Sequence, residues 1–333
     1  MRKSNFELLR IICILMIITL HYNSSMGGLL SNVEIGSINY YISHFIQSLC
    51  IVAVNTFIII TGYFSYKKES IKISKVIKLF YLCMIYGMVI FTVFILLGNK
   101  INISTLIEFI KTIFDRWFVV IYSILYLLIP YINKLINNLS QKQLKTLITI
   151  NIIFFYLWFT IFTNTTIKDG GYGIVNFINL YMIGAYIKKY KDVSIHKYKT
   201  ISIYLLCAIV TTILSCFTTR SAYAYNTIFN LIGSISLFLT FKNMNIKNNN
   251  IINKLSTYTF TTYIIHENSF LVKILYRDIF NCDKFYNSNY MIINMIYTVL
   301  GIYLICIIVE FIRRLLMKKL VDDKIDNIKY MIN

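Results

Sequence analysis

The sequence predicts an all-α polytopic membrane bundle of about ten helices, with both termini on the cytoplasmic side. Three observations predict it. The 333 residues are 57% hydrophobic and only 14% charged. Apolar runs long enough to cross a bilayer recur from one end to the other. The basic residues, finally, alternate in density from one connecting segment to the next.

In chain order the apolar runs fall at about 7–26, 42–64, 76–97, 115–132, 144–163, 172–188, 200–217, 223–241, 257–276 and 290–312. The first lacks a small-residue cleavage site and carries Arg10, so it reads as a retained helix rather than a removable signal. The sixth and seventh are near the lower length limit, which leaves nine or eleven spans as alternatives. The largest connections, about 97–115 and 277–290, have room for a short interfacial helix but not for a second domain. One transmembrane unit is therefore expected over residues 1–313, followed by a short charged cytoplasmic tail over 314–333.

The net charge of +19 would suggest nucleic acid in a soluble protein, but its distribution gives a different answer. With the N-terminus inside, the inner segments hold Arg2 and Lys3, the group from Lys67 to Lys78, and Lys134, Lys142 and Lys145. They continue with the group from Lys188 to Lys199, then Lys242, Lys247, Lys254 and the basic tail from Arg313 to Lys329. These are 24 of the 33 Lys and Arg residues. Eight lie outside: Lys100, Lys111, Arg116, Lys168, Arg220, Lys273, Arg277 and Lys284. Arg10 is the remaining one. This asymmetry is the positive-inside pattern, and no nucleic-acid partner is needed to explain the charge. The seven cysteines sit mostly within apolar runs and form no CxxC or Cys/His metal spacing. They read as small buried apolar groups, and no metal is expected.

Chemistry must come from polar residues inside the bundle. Arg10 and His21 are eleven residues apart, which places them within about 20° on one helix face and about 16 Å apart along the axis. Ionisable groups in a spanning helix are costly and usually face a bundle interior or a water-filled path. A neutral imidazole can take a proton from an alcohol and return it near neutral pH. His266 lies in a polar knot, Tyr263-Ile264-Ile265-His266-Glu267-Asn268. Hydrogen bonding between helices is the plainer role for either histidine; for His21 its alignment with Arg10 favours a functional one. His44 at the start of the second run suits an interfacial or structural role, and His196 in a lysine-rich loop suits simple solvation. Glu7, three residues before Arg10, can pair with it or serve as a polar helix start.

These residues resemble a known family. Leu9-Arg10, a ten-residue apolar spacer and His21 look like the Arg-x10-His signature of the acyltransferase family 3 membrane proteins. Five further segments follow in the family's order. The stretch Phe57 to Phe64 resembles its Phe-rich segment ending in Ser-Gly-Tyr/Phe, with Thr61 in place of the serine. The stretch Ser74 to Tyr81 resembles its basic third-span start, with lysines for arginines and Phe80 where proline is common. Trp117-Phe118 with Tyr126 and Pro130 resembles the fourth-span pattern. Tyr181-Met182-Ile183-Gly184-Ala185-Tyr186 resembles the glycine-containing sixth-span motif, and Tyr263-Ile264-Ile265-His266 matches the late Tyr-x-x-His segment. The resemblance covers essentially the whole chain.

The resemblance implies acyl transfer across a plasma or inner membrane, in a bacterium. Acetyl-CoA or a related acyl-CoA would be the cytoplasmic donor. A hydroxyl of an extracytoplasmic glycan, or of its lipid-linked precursor, would be the acceptor. His21 would act as general base or transient acyl carrier, with Arg10 positioning the donor. Lys67, Lys68, Lys72, Lys75 and Lys78 lie beside the inner end of the first span and could hold the CoA phosphates; Lys72, Lys75 and Lys78 recur every three residues, broadly one face if a helix begins there. Ordinary positive-inside topology explains those lysines equally well. His266, Glu267, Tyr263 and Glu7 are supporting candidates. Trp117, Tyr22, Tyr40 and Tyr41 could stack on a sugar ring, although an aromatic belt would also account for them. Membrane lipids and other polysaccharide-assembly proteins are possible partners. Some relatives carry an additional soluble esterase-like domain; this chain's length leaves no room for one, so the bundle is expected to finish the transfer alone or to hand the acyl group on.

Two rival classes differ in their signatures. A membrane glycosyltransferase or polymerase should show an acidic pair or a long loop outside, where Glu34 stands alone in the first outer loop. A flippase or transporter should show paired Gly/Pro interruptions, against which the single proline and scattered glycines speak. No serine-hydrolase elbow, phosphate loop or zinc-protease motif is present.

Overall fold

The computed structural model describes residues 3–162, 169–190, 195–218, 221–328 and 330–332. Arg2, Lys168, Lys191, Arg220 and Lys329, counted above for topology, lie outside the described residues. A chain this apolar satisfies its backbone polar groups internally, and helices do so within one segment. The helices are α1 Ser4–Asn23, α2 Leu29–Asn32, α3 Ile38–Cys50, α4 Ala53–Ser65, α5 Ser74–Leu96 and α6 Ile103–Phe114. They continue as α7 Trp117–Asn138, α8 Gln141–Asn151, α9 Trp158–Ile161, α10 Ile174–Tyr190, α11 Lys197–Phe217 and α12 Ile228–Lys242. The last five are α13 Asn250–Leu255, α14 Thr259–His266, α15 Ser269–Lys273, α16 Met291–Met317 and α17 Asp323–Asp326. A two-residue strand β1, Ile71–Lys72, pairs antiparallel with β2, Met331–Ile332.

Among the described residues, seven helical stretches are long and apolar enough to cross a membrane. The expected count of ten does not map onto ten such helices. The run at 172–188 is α10, with 17 residues, and the run at 223–241 is α12, with 15. The run at 257–276 breaks after His266; the Asn268 side chain then caps α15 by accepting from the Phe270 amide at 3.1 Å. Hydropathy counts apolar residues and does not register such breaks. They are tolerated because the short elements pack on protein: Phe177, Leu180, Tyr181 and Ala185 of α10 are fully buried.

α1 runs through the middle of the bundle, against α3, α4, α12, α14 and α16. Leu9, Cys13, Ile18 and Tyr22 on it are fully buried. α4 and α10 meet along a seam of small residues. A Cβ added at Gly62 would lie 2.1 Å from the Tyr181 carbonyl oxygen, and one at Gly184 would lie 2.2 Å from that of Ile59. Two of the motif segments therefore press backbone to backbone, which only glycine allows. Asn133 of α7 secures the same region. Its amide donates to the Ser65 and Lys68 carbonyls, both at 2.8 Å, and its oxygen accepts from the Tyr181 hydroxyl at 2.8 Å.

α16 runs past residue 313 to Met317, and the tail folds back instead of trailing. Arg313 donates to Glu310 at 2.7 and 3.0 Å and to Asp322 at 3.0 Å through each of two nitrogens. Lys78 near the start of α5 pairs with Asp326 at 2.6 Å. The strand pair then fixes Met331 opposite Lys72.

Candidate functional site

A cavity of about 770 Å³ runs through the bundle alongside α1, within the usual range of small-molecule sites. Arg10, Ile14, Ile17 and His21 line it. Their spacing of four, three and four residues is one face of a helix, so the two polar residues of α1 open onto one space, as their separation predicts. At one end are His21, Ser24, Gln47, Trp117 and Glu267; at the other are Arg10, Lys68, Lys75, Lys78, Arg313 and Arg314, with the carboxylates Glu310 and Asp322 among them.

The histidine end has a defined proton arrangement. His266 is fully buried. Its Nδ1 lies 2.6 Å from the Thr262 carbonyl oxygen, and its Nε2 lies 2.9 Å from His21 Nδ1. A carbonyl only accepts, so His266 carries its proton on Nδ1 and leaves Nε2 as an acceptor. His21 must then donate from Nδ1, and in the neutral ring its Nε2 holds a bare lone pair. Since His21 lines the cavity, this is the nitrogen available there. The arrangement can take up a proton at Nε2 while His266 stabilises the imidazolium from behind. Thr262 and His266 are adjacent turns of α14, whose i to i+4 spacing puts the carbonyl beneath the ring.

At the opposite end Arg10 donates to Glu7 Oε1 at 2.5 Å, and Glu7 Oε2 accepts from Ser256 Oγ at 2.5 Å. Glu7 thus fixes the rotamer of Arg10 and ties α1 to the turn before α14. Arg314 donates to Glu310 at 2.6 Å and to Thr257 at 2.9 and 2.8 Å. Lys68 lies outside the spans, held between Ser65, to which it donates at 3.1 Å, and the Asn133 amide that grips its carbonyl. Burial, and then the charge of Lys75, hold its ammonium below the usual lysine range. A half-buried cation beside another cation is a site that an anion would relieve.

Lys72 corrects the three-lysine face. The helix begins at Ser74, so Lys72 lies on β1 with its side chain exposed and is not part of the cavity wall. Lys68, from the loop before it, lines the cavity together with Lys75 and Lys78.

Glu267 and Tyr263 line the histidine end, and Glu267 Oε2 lies 3.8 Å from Arg116 Nη1. Arg116, counted above as an outer charge, is buried, and its Nε donates to the Thr112 carbonyl at 2.8 Å. Trp117 donates from Nε1 to the Tyr172 carbonyl at 2.7 Å and stacks on Tyr225, with ring centroids 5.7 Å apart and planes at 9°. Tyr172 and Tyr225 come from loops and gave no pattern in the sequence. Tyr22 is a core residue, fully buried with its hydroxyl donating to Asn294 at 2.7 Å, so it presents no face to a ligand. Tyr40 packs on His44 at 4.3 Å and Tyr41 on Phe217 at 6.2 Å, away from the cavity. His44 is held by Tyr223 at 2.8 Å and Ser215 at 3.1 Å, as a structural role requires. His196 precedes α11, and its ring packs on that of Tyr198 at 5.2 Å.

A family model described as an acyltransferase domain matches residues 3–312 of the chain. Neither the curated proteins nor the solved structures yield a match.

Proposed function

The chain belongs to the acyltransferase 3 family and is a multi-pass membrane acyltransferase; from this we propose that it transfers an acetyl or closely related acyl group from cytoplasmic acyl-CoA to a hydroxyl of an extracytoplasmic glycan. The observation that carries the reading is the chain Thr262 carbonyl, His266, His21, which ends in an open lone pair inside a cavity whose other mouth gathers cations. Such a layout suits a donor with phosphates at one end and a reacting carbonyl at the other.

His21 Nε2 takes the proton of the acceptor hydroxyl as its oxygen attacks the thioester carbonyl. When the carbon–sulfur bond breaks, Nε2 returns that proton to the CoA sulfur, giving the ester and free CoA. Proton transfer of this kind contributes about 10²–10⁴-fold in rate. Arg10, Lys68, Lys75 and Lys78 would hold the donor. Trp117, braced by Tyr172 and Tyr225, would seat the acceptor ring, with Glu267 accepting from its hydroxyls. The excess of lysine and arginine at the donor mouth supports placing that mouth in the cytoplasm.

Sealed vesicles of known orientation test the reading. Labelled acyl-CoA supplied on the basic side should label the glycan, and acyl-CoA confined to the other side should not; labelling from either side would overturn it. The break at Glu267–Asn268 is a feature that a flippase could also use. A flippase would move glycan without consuming acyl-CoA, so the same vesicles separate the two readings.

A further inference from the structure

We infer that Gln47 is a catalytic residue: its side-chain amide N–H groups stabilise the oxyanion that forms on the acyl carbonyl beside His21. The inference rests on the reading of His21 as general base. It begins two residues further along α1, at Asn23, which is fully buried. The Asn23 amide nitrogen lies 3.3 Å from the Ser43 carbonyl and 3.2 Å from Gln47 Oε1. A backbone carbonyl can only accept, so Ser43 fixes which end of the Asn23 amide faces α3. The second hydrogen of that nitrogen fixes the end of Gln47 that faces Asn23, namely its oxygen.

Gln47 Nε2 is then the atom left to the cavity, which Gln47 lines at the histidine end. Gln47 is itself 7% exposed, so this amide is a donor pair held on a buried arm. A neutral amide oriented by two successive hydrogen bonds is preorganised: its dipole need not turn when charge develops. Proton acceptance at His21 Nε2 and charge acceptance at Gln47 Nε2 are the two demands of ester formation. As the acceptor oxygen bonds to the thioester carbon, the carbonyl π pair moves onto its oxygen and is held by the Gln47 N–H groups. As the pair returns, the carbon–sulfur bond breaks and the sulfur takes the proton from His21.

Two variants separate the donor from its anchor. Gln47→Glu keeps an oxygen for Asn23 but has no N–H to offer, and Gln47→Met removes both. Each should lower kcat by about 100-fold, with KM for acyl-CoA unchanged; Gln47→Met, which leaves the buried Asn23 N–H without its acceptor, should also melt lower in detergent. Wild-type kcat in either variant overturns the inference. So does a loss seen only in KM or only in melting temperature, which would make Gln47 structural. His21→Ala assayed in parallel keeps the two claims apart. If it is inactive while the Gln47 variants are active, the oxyanion donor is lost and the general base stands; if it is active, both fall.

Discussion

A histidine whose chemistry depends on a second histidine is a stringent arrangement, because each proton has one possible position. Replacing His266 by alanine leaves His21 Nδ1 without its acceptor, so both tautomers and other ring orientations become available. The variant should fold, bind acyl-CoA with unchanged KM and lose about 10–100-fold in kcat; an unchanged kcat would show that the Thr262–His266 arm plays no part. Lys68 has its own signature. Its charged form persists below its lowered pKa and is lost as pH rises through that value, so KM for acyl-CoA should climb with alkaline pH. Lys68→Arg, always charged, should flatten that climb, whereas Lys68→Gln should show a high and level KM, about tenfold above that of the wild type (~1.4 kcal/mol). At this scale the sequence was informative where periodicity operates. Arg10 and His21 share one helix face and can be paired by counting. The partner of His21 is 245 positions away, and nothing local to either residue reveals the bond or the tautomer it imposes. The same applies to Gln47, an unremarkable polar residue until Asn23 and Ser43 are placed beside it.

Among the elements, the seam between α4 and α10 explains two motif glycines that sequence reading could recognise but not interpret. Overpacking of a fitted interface costs about 1–3 kcal/mol, and here the obstructing atoms are backbone. Gly62→Ala and Gly184→Ala should each lower the melting temperature in detergent, and should raise KM for acyl-CoA as the Ser65 end of α4 shifts Lys68. An unchanged melt for both would contradict the seam. Helix lengths were less legible than helix identities. Among the described residues α10 and α12 have 17 and 15 residues, and the run at 257–276 is two helices meeting at Glu267–Asn268. The apolar composition of these segments reflects burial against protein as much as contact with lipid, and composition does not separate the two solvents. Lys72 failed for a related reason: the spacing was helical, but the helix starts two residues later.

For the molecule as a whole, the polytopic class followed from composition, whereas the cavity and the tail did not. The docking of the tail depends on Arg313, Asp322 and the pair Lys78–Asp326, all surface-type residues in a linear reading. Orientation is testable in a cysteine-free background. Ser25→Cys, at the exposed histidine end, should react with a membrane-impermeant thiol reagent in intact cells, and Glu69→Cys, beside the basic mouth, should react only after lysis. The reverse pattern would invert the topology that the lysine distribution predicts. The central claim is that His21 is the group through which the acyl transfer passes. The most direct measurement is the initial rate of label transfer from acyl-CoA to glycan in membranes holding equal amounts of folded wild-type and His21→Ala protein. The account predicts a fall of about 10²–10⁴-fold with donor KM retained, and a variant that transfers at the wild-type rate would contradict it.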